Sequence, residues 1–237
     1  MNASTETATR TGRKYRIYRH AWLLPALLSV AWCIGPRVSA LGGRSEAERR
    51  PLLRVNLCDD TNLVPETLAA LKQEVSALYT TAGVDIVWHH ECGSDETAAS
   101  LAREDLARVY VLDEIPTPIV FRRRRFLKLP VMGYNLTAED GSFSPVIYVS
   151  RKAIERAVRI KDSKQLARAL GRIIAHELAH RFLQSMHVSQ GILRANIEHH
   201  DWIDDDPGDL YFTPAQTTAL QCVAAPNAPR KCAPKHP

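Results

Sequence analysis

His176, Glu177 and His180 are the residues of this 237-residue chain whose types and spacing speak most directly of chemistry. On an α-helix, side chains four apart lie on one face one turn away from each other, so imidazoles at 176 and 180 can reach a single Zn2+. The glutamate beside the first imidazole then stays available to work on water, which is how zinc hydrolases use the spacing His-Glu-x-x-His. Such a motif needs a helix beneath it. Upstream, Leu166, Ala167, Leu170, Ile173 and Ile174 recur at helical spacing, Asp162 or Ser163 supplies a capping-type start, and only Gly171 interrupts the run.

A catalytic zinc site commonly has three protein ligands and one open position. His187 lies seven residues beyond His180 and is followed by Gly191-Ile192-Leu193-Arg194-Ala195. A helix continued to His187 would keep it on the same face but carry it about 10.5 Å along the axis. Zinc–nitrogen bonds of about 2.0–2.1 Å cannot bridge that gap. The helix is therefore expected to stop near Gln184 or Ser185 and the chain to fold back. A rival set is Glu198-His199-His200-Asp201: a second helix after Gly191 would let Glu198 or Asp201 approach the metal and complete a site of two histidines and one carboxylate. Asp201, Asp204, Asp205, Asp206 and Asp209 crowd around Pro207-Gly208 and read as a solvated acidic loop, without the spacing of an EF-hand.

With these residues the chain resembles the metzincin clan of zinc peptidases, in which HExxHxxGxxH is followed by a Met-turn. It also resembles secreted bacterial proteins whose helix is followed by a His and a Gly-Ile-Met-Arg-Ala-like turn. The resemblance implies His176, His180 and His187 as ligands of one Zn2+ per chain, Glu177 as general base, and Gly191, Ile192 and Leu193 as the turn beneath the metal. It also implies that Gly133-Tyr134-Asn135 forms the cleft rim, an open edge to which an extended peptide could add as a strand. Three features depart from the pattern. The spacing to His187 is one residue longer, no glycine lies between Arg181 and Met186, and Leu193 stands where Met would be. Leu for Met is a swap that costs less than about 1.5 kcal/mol when volume is kept.

The elements that must position this motif follow from a coarse pass. Strands are expected at Leu52 to Leu57, Val84 to Trp88, Val109 to Leu112, Val131 to Asn135 as a short edge, and Val146 to Val149. Pro65 and Gly83 punctuate a helix from Pro65 to Thr81, and a shorter helical run spans Pro214 to Leu220. A crossover between the first two strands makes them parallel neighbours. The expected class is α+β: a mixed, mostly parallel twisted sheet with an antiparallel edge strand, a backing helix and the helix carrying the motif, an order that the resemblance implies to be zincin-like.

The N-terminus reads as an export signal. Arg10, Arg13, Lys14, Arg16 and Arg19 precede an apolar run from Ala21 to Gly35, and Val38-Ser39-Ala40 suits cleavage. The run is about fifteen residues and is broken by Pro25, whereas a spanning helix needs roughly 17 to 25. Residues 1–40 are thus expected to be a signal peptide, or an uncleaved anchor and the sole tie to a membrane. Residues 41–223 form one zincin-like domain and 224–237 a Pro-rich tail, in a secreted or periplasmic compartment. Of 31 Lys+Arg and 26 Asp+Glu, six and one belong to the leader, so the remainder is balanced and a global case for nucleic acid falls away. The local run Arg122 to Arg125, between Phe121 and Phe126, reads as a solvated edge. Cys58, Cys92, Cys222 and Cys232 are even in number, as export favours, and the expected pairs are Cys58 with Cys92 and Cys222 with Cys232.

The expected activity is hydrolysis of a peptide or protein substrate. A zincin-fold binding protein with structural or no zinc, and a zinc hydrolase of other amides or esters, are the alternatives that the motif leaves open.

Overall fold

The computed structural model describes residues 50–89, 105–116, 131–137, 141–195 and 197–225. Residues 1–40, expected as a signal peptide, Cys92, Cys232, Arg122 to Arg125 and the residues from 226 lie outside them. Strand β1 (Leu52–Asp59) leads to helix α1 (Pro65–Thr81), then to β2 (Asp85–His89), β3 (Leu106–Leu112), β4 (Gly133–Thr137) and β5 (Phe143–Ser150). Helices α2 (Arg151–Val158), α3 (Ser163–Leu183), α4 (His199–Ile203) and α5 (Pro214–Ala224) follow. The five strands form one sheet in the order β2-β1-β3-β5-β4. All neighbours are parallel except β4, which runs antiparallel to β5 at the edge. This is the expected α+β class.

Alternation along the strands sorts the two faces of the sheet. Leu53, Val55 and Leu57 of β1, Ala107, Val109 and Val111 of β3, and Ile147 and Val149 of β5 are buried in one apolar cluster with the helices. The intervening positions carry polar and aromatic groups, including Arg54, Asn56 and Arg108, and Tyr110 stacks on Tyr148 with ring centroids 5.6 Å apart. The helices thus cover the face that the apolar residues select.

Pro65 opens α1, and Gly83 at φ 73 turns the chain out of it into β2. The buried stripe Leu71, Val75, Leu78 and Tyr79 lies in one apolar cluster with Leu170, Ile174 and Leu178 of α3. The two helices approach closely at Gly171: a Cβ there would lie 2.8 Å from Glu74 Cβ. The one break in the apolar run is thus a packing device. Tyr79 donates its hydroxyl to the Ala175 carbonyl at 3.2 Å, one residue before the motif.

Several boundaries differ from expectation. Strand β1 extends to Asp59 and takes in Cys58, which was expected just beyond the strand; β3 begins three residues early because Leu106, Ala107 and Arg108 pair with β1. Helix α5 continues past Leu220 to Ala224 because Leu220, Val223 and Ala224 are all buried. Helix α2 was unforeseen. Its eight residues give little periodicity to read, and its start is set by the Ser150 side chain accepting from Ala153 N at 3.2 Å.

Candidate metal centre

Helix α3 starts at Asp162, whose side chain accepts from Gln165 N, and runs unbroken through the motif to Leu183. Arg172, His176 and His180 therefore succeed one another at four-residue steps on one face. His176 and His180 are buried and Glu177 is half-buried. At Gln184 the backbone turns left-handed, with φ 47 and ψ 40. Glycine commonly takes such a position, but here the Gln184 side chain stabilises it: Oε1 accepts from Phe143 N at 2.7 Å and Nε2 donates to Arg181 O at 2.6 Å. The chain then reverses, as the reach of a single metal requires.

The reversal brings His187 back over the helix. His176 Nε2 lies 3.1 Å from His180 Nε2 and 3.2 Å from His187 Nε2. The three residues offer ligand atoms all within 4.8 Å of one another and form the one such grouping among the described residues. Tautomers follow from the other ring nitrogens. His176 Nδ1 meets Ile192 O at 2.6 Å, and His180 Nδ1 meets Ser185 O at 2.6 Å. A carbonyl only accepts, so both Nδ1 atoms carry the proton and both Nε2 atoms present lone pairs.

Lone pairs 3.1 Å apart repel unless a cation sits among them. Tetrahedral ligands with zinc–nitrogen bonds of about 2.0–2.1 Å would stand roughly 3.3–3.4 Å from each other, so the donor set fits zinc in spacing as well as in chemistry. Backbone carbonyls behind the imidazoles supply the outer support that orients metal-bound histidines. Burial adds to this by disfavouring the imidazolium: desolvation first, then the neighbouring histidine, lowers the pKa of His176 to about 3. Desolvation likewise lowers that of His180 to about 4, against the hydrogen bond to Ser185 O. Both rings are held in the neutral form that a metal needs.

The turn after His187 is closed by its own backbone. Gly191 sits at φ 73, where a Cβ would come within 2.7 Å of Tyr211 O. Ile192 N donates to Tyr211 O at 2.7 Å, and Val188 N to Leu193 O at 2.9 Å. Ile192 and Leu193 are fully buried. Leu193, expected in the turn, is thus a buried apolar residue whose carbonyl is engaged by Val188 N.

The edge strand β4 flanks Glu177. A Cβ on Gly133 would lie 2.5 Å from Glu177 Oε1, so the strand backbone sits directly against the carboxylate. Asn135 Nδ2 donates to Glu177 O at 3.3 Å. Tyr134 differs from its neighbours: it pairs with Tyr148 and so stands on the sheet face away from α3. The rim expected at 133 to 135 is brought to Glu177 through Gly133 and Asn135, while the Tyr134 side chain points elsewhere.

The rival carboxylates are not part of the histidine grouping. Asp201 is 1% exposed and its carboxylate is engaged by Arg194 Nη2 and by Glu198 N. This also corrects the reading of 201 to 209 as one solvated loop. Asp204, Asp205, Asp206 and Asp209 are exposed, whereas Asp201 is interior. Glu198 caps α4 in a capping box with Asp201.

Other neighbours of the site carried no signal in the sequence. Phe143 stacks on His180 with centroids 5.3 Å apart. The Ser185 and Ile192 contributions come from main-chain carbonyls, which residue type does not disclose. Beside the 185–190 loop lies a cavity of about 350 Å³, lined by Leu183, Val188, Ala215, Ala219 and polar but uncharged side chains. Of the four cysteines beyond residue 40, Cys58 and Cys222 are described; the partners expected for them lie outside the described residues.

No family model matches the chain, and no curated protein matches it. Among solved structures, archaemetzincin from Methanopyrus kandleri aligns with a TM-score of 0.43 at 14% identity, over 74% of this chain and 97% of that one.

Proposed function

We propose that this protein is a zinc-dependent metallopeptidase of metzincin-like design. The observation that carries the reading is the convergence of His176, His180 and His187 through Nε2, with Glu177 one residue along the same helix. His176, His180 and His187 would hold the ion. A bound zinc ion there supplies Lewis acidity toward a carbonyl and toward water. The remaining steps belong to side chains of the chain. Glu177, half-buried and packed against the Gly133 backbone, takes the proton of the attacking water and passes it to the leaving amine. Strand β4 is the edge of the sheet and offers backbone groups to an extended substrate alongside Glu177. The uncharged cavity next to the His187 loop suits a neutral side chain of that substrate.

A glutamate next to a ligand favours catalysis over a purely structural ion, because a structural site has no use for a base there. The leader supports an exported protein, through its arginine-rich start, short apolar run and Val38-Ser39-Ala40. Among the described residues no helix is long and apolar enough to cross a membrane.

The test is a substrate panel of mixed peptides, acyl-amino acids and esters, presented to the zinc-loaded protein and to Glu177→Gln. The expected result is peptide cleavage that falls by about 10²–10⁴-fold in the variant while zinc is retained, the range a general base contributes. Turnover that persists in Glu177→Gln removes the glutamate from its role. Cleavage of esters or acyl-amino acids alone would replace the peptidase reading with that of another zinc hydrolase.

A further inference from the structure

The interior carboxylate of Asp201 lies outside the histidine grouping, yet it joins the two segments that meet at His176. Its side chain is engaged by Arg194 Nη2, and Arg194 closes the 191–194 turn by donating its backbone N–H to Gly191 O at 3.0 Å. That turn contains Ile192, whose carbonyl accepts the His176 Nδ1 proton. On the other side, the main-chain carbonyl of Asp201 accepts from Arg172 Nη1 at 2.7 Å. Arg172 is fully buried on α3, one turn before His176 on the same face, and its Nε donates to Glu74 Oε1 at 2.7 Å. The room for Asp201 is made by Gly208: a Cβ there would lie 2.6 Å from Asp201 Oδ1. Glu198 N adds a further hydrogen bond of 3.0 Å to Oδ2. A buried carboxylate with this many fixed partners is a rigid joint.

We propose that Asp201 is a positioning residue of the metal centre: through Arg194 and Arg172 it fixes the turn and the helix on either side of His176, so that Ile192 O holds Nδ1–H and Nε2 faces His180 and His187. The assignment of metal to those histidines rests on the preceding section; the orientation of His176 does not.

The experiment compares Asp201→Asn with Asp209→Asn in the full protein. Asn preserves shape and can still accept from Glu198 N, but it carries no charge for Arg194. Asp209 contacts the same guanidinium at 3.0 Å with its side chain 74% exposed, so it controls for simple loss of a carboxylate. The deciding readout is the ¹⁵N spectrum of the imidazole of His176 in metal-free protein. Wild type and Asp209→Asn should show the Nδ1–H tautomer, and Asp201→Asn a mixture of both tautomers. Zinc affinity, measured by chelator competition, should fall by about 10–100-fold in Asp201→Asn alone, the usual effect of losing outer support to a ligand. If Asp201→Asn does not fold, Arg194→Gln breaks the same ion pair and carries the same expectation. An unchanged Nδ1–H tautomer in the folded variant overturns the proposal, as does an equal response of Asp209→Asn. A wild type that binds no zinc, together with a tautomer shift in Asp201→Asn, would sink the metal reading and leave the hold of Asp201 on the His176 ring standing.

Discussion

At the residue scale, the site turns on two imidazoles kept neutral by burial and aimed by carbonyls. His176 and His180 have pKa values lowered to about 3 and about 4, chiefly through desolvation. In the unfolded chain both titrate near the ordinary histidine value of roughly 6.5. Between those values the unfolded state binds more protons than the folded one, so folding stability rises with pH there and is lost as pH falls. The metal-free protein should therefore hold its stability above about pH 6.5 and lose it steadily toward pH 4. Urea midpoints at pH 7.5, 6 and 5 measure this, with a His176→Asn/His180→Asn double variant as reference. The wild type should decline more steeply than the double variant; matching declines would mean that these rings are not the groups concerned. With zinc bound, protons also compete with the ion for the same lone pairs, so release in acid adds to the loss.

At the element scale, the decisive feature is where α3 ends. The reach of a zinc–nitrogen bond predicts the stop at Gln184 or Ser185, and the helix does end there. Residue type gave no such signal, because Gly or Asn is the usual mark of a left-handed cap and Gln184 is neither. Its conformation is sustained by hydrogen bonds to Phe143 and Arg181, which also tie the helix end to β5. Gln184→Ala keeps the left-handed strain and loses those bonds, at a cost of about 1–3 kcal/mol. Gln184→Gly loses the same bonds but relieves roughly 1 kcal/mol of backbone strain, so it should be the milder change. Urea unfolding of the two variants gives the order; Gly as the more damaging change would refute this account of the cap. Long elements such as α1 and α3 were legible because apolar periodicity, Pro65, Gly83 and Asp162 agree on them. Helices α2 and α4 have eight and five residues, too few for periodicity to specify.

At the scale of the molecule, the site is assembled from separate parts of the chain that the sequence displays without their pairing. His176 and His180 share a helix, and their common face follows from spacing alone. His187 arrives by a reversal, with its place near the helix end derivable from distance and its final position only from packing. The Arg172–Asp201–Arg194 set was invisible as a unit: charges are plain in a sequence, but which carboxylate becomes interior depends on the fold, and Asp201 looked like one of five acidic neighbours. The sheet was better exposed, since alternating apolar residues on β1, β3 and β5 select one buried face. Completion of a three-histidine zinc site by His187 is what the proposed activity depends on. It is tested most directly by elemental analysis and chelator competition on the wild type and on His187→Ala. Coordination by three histidines gives one zinc per chain in the wild type, lost or bound far more weakly in the variant. Zinc held equally well by His187→Ala, or absent from the wild type, would contradict it.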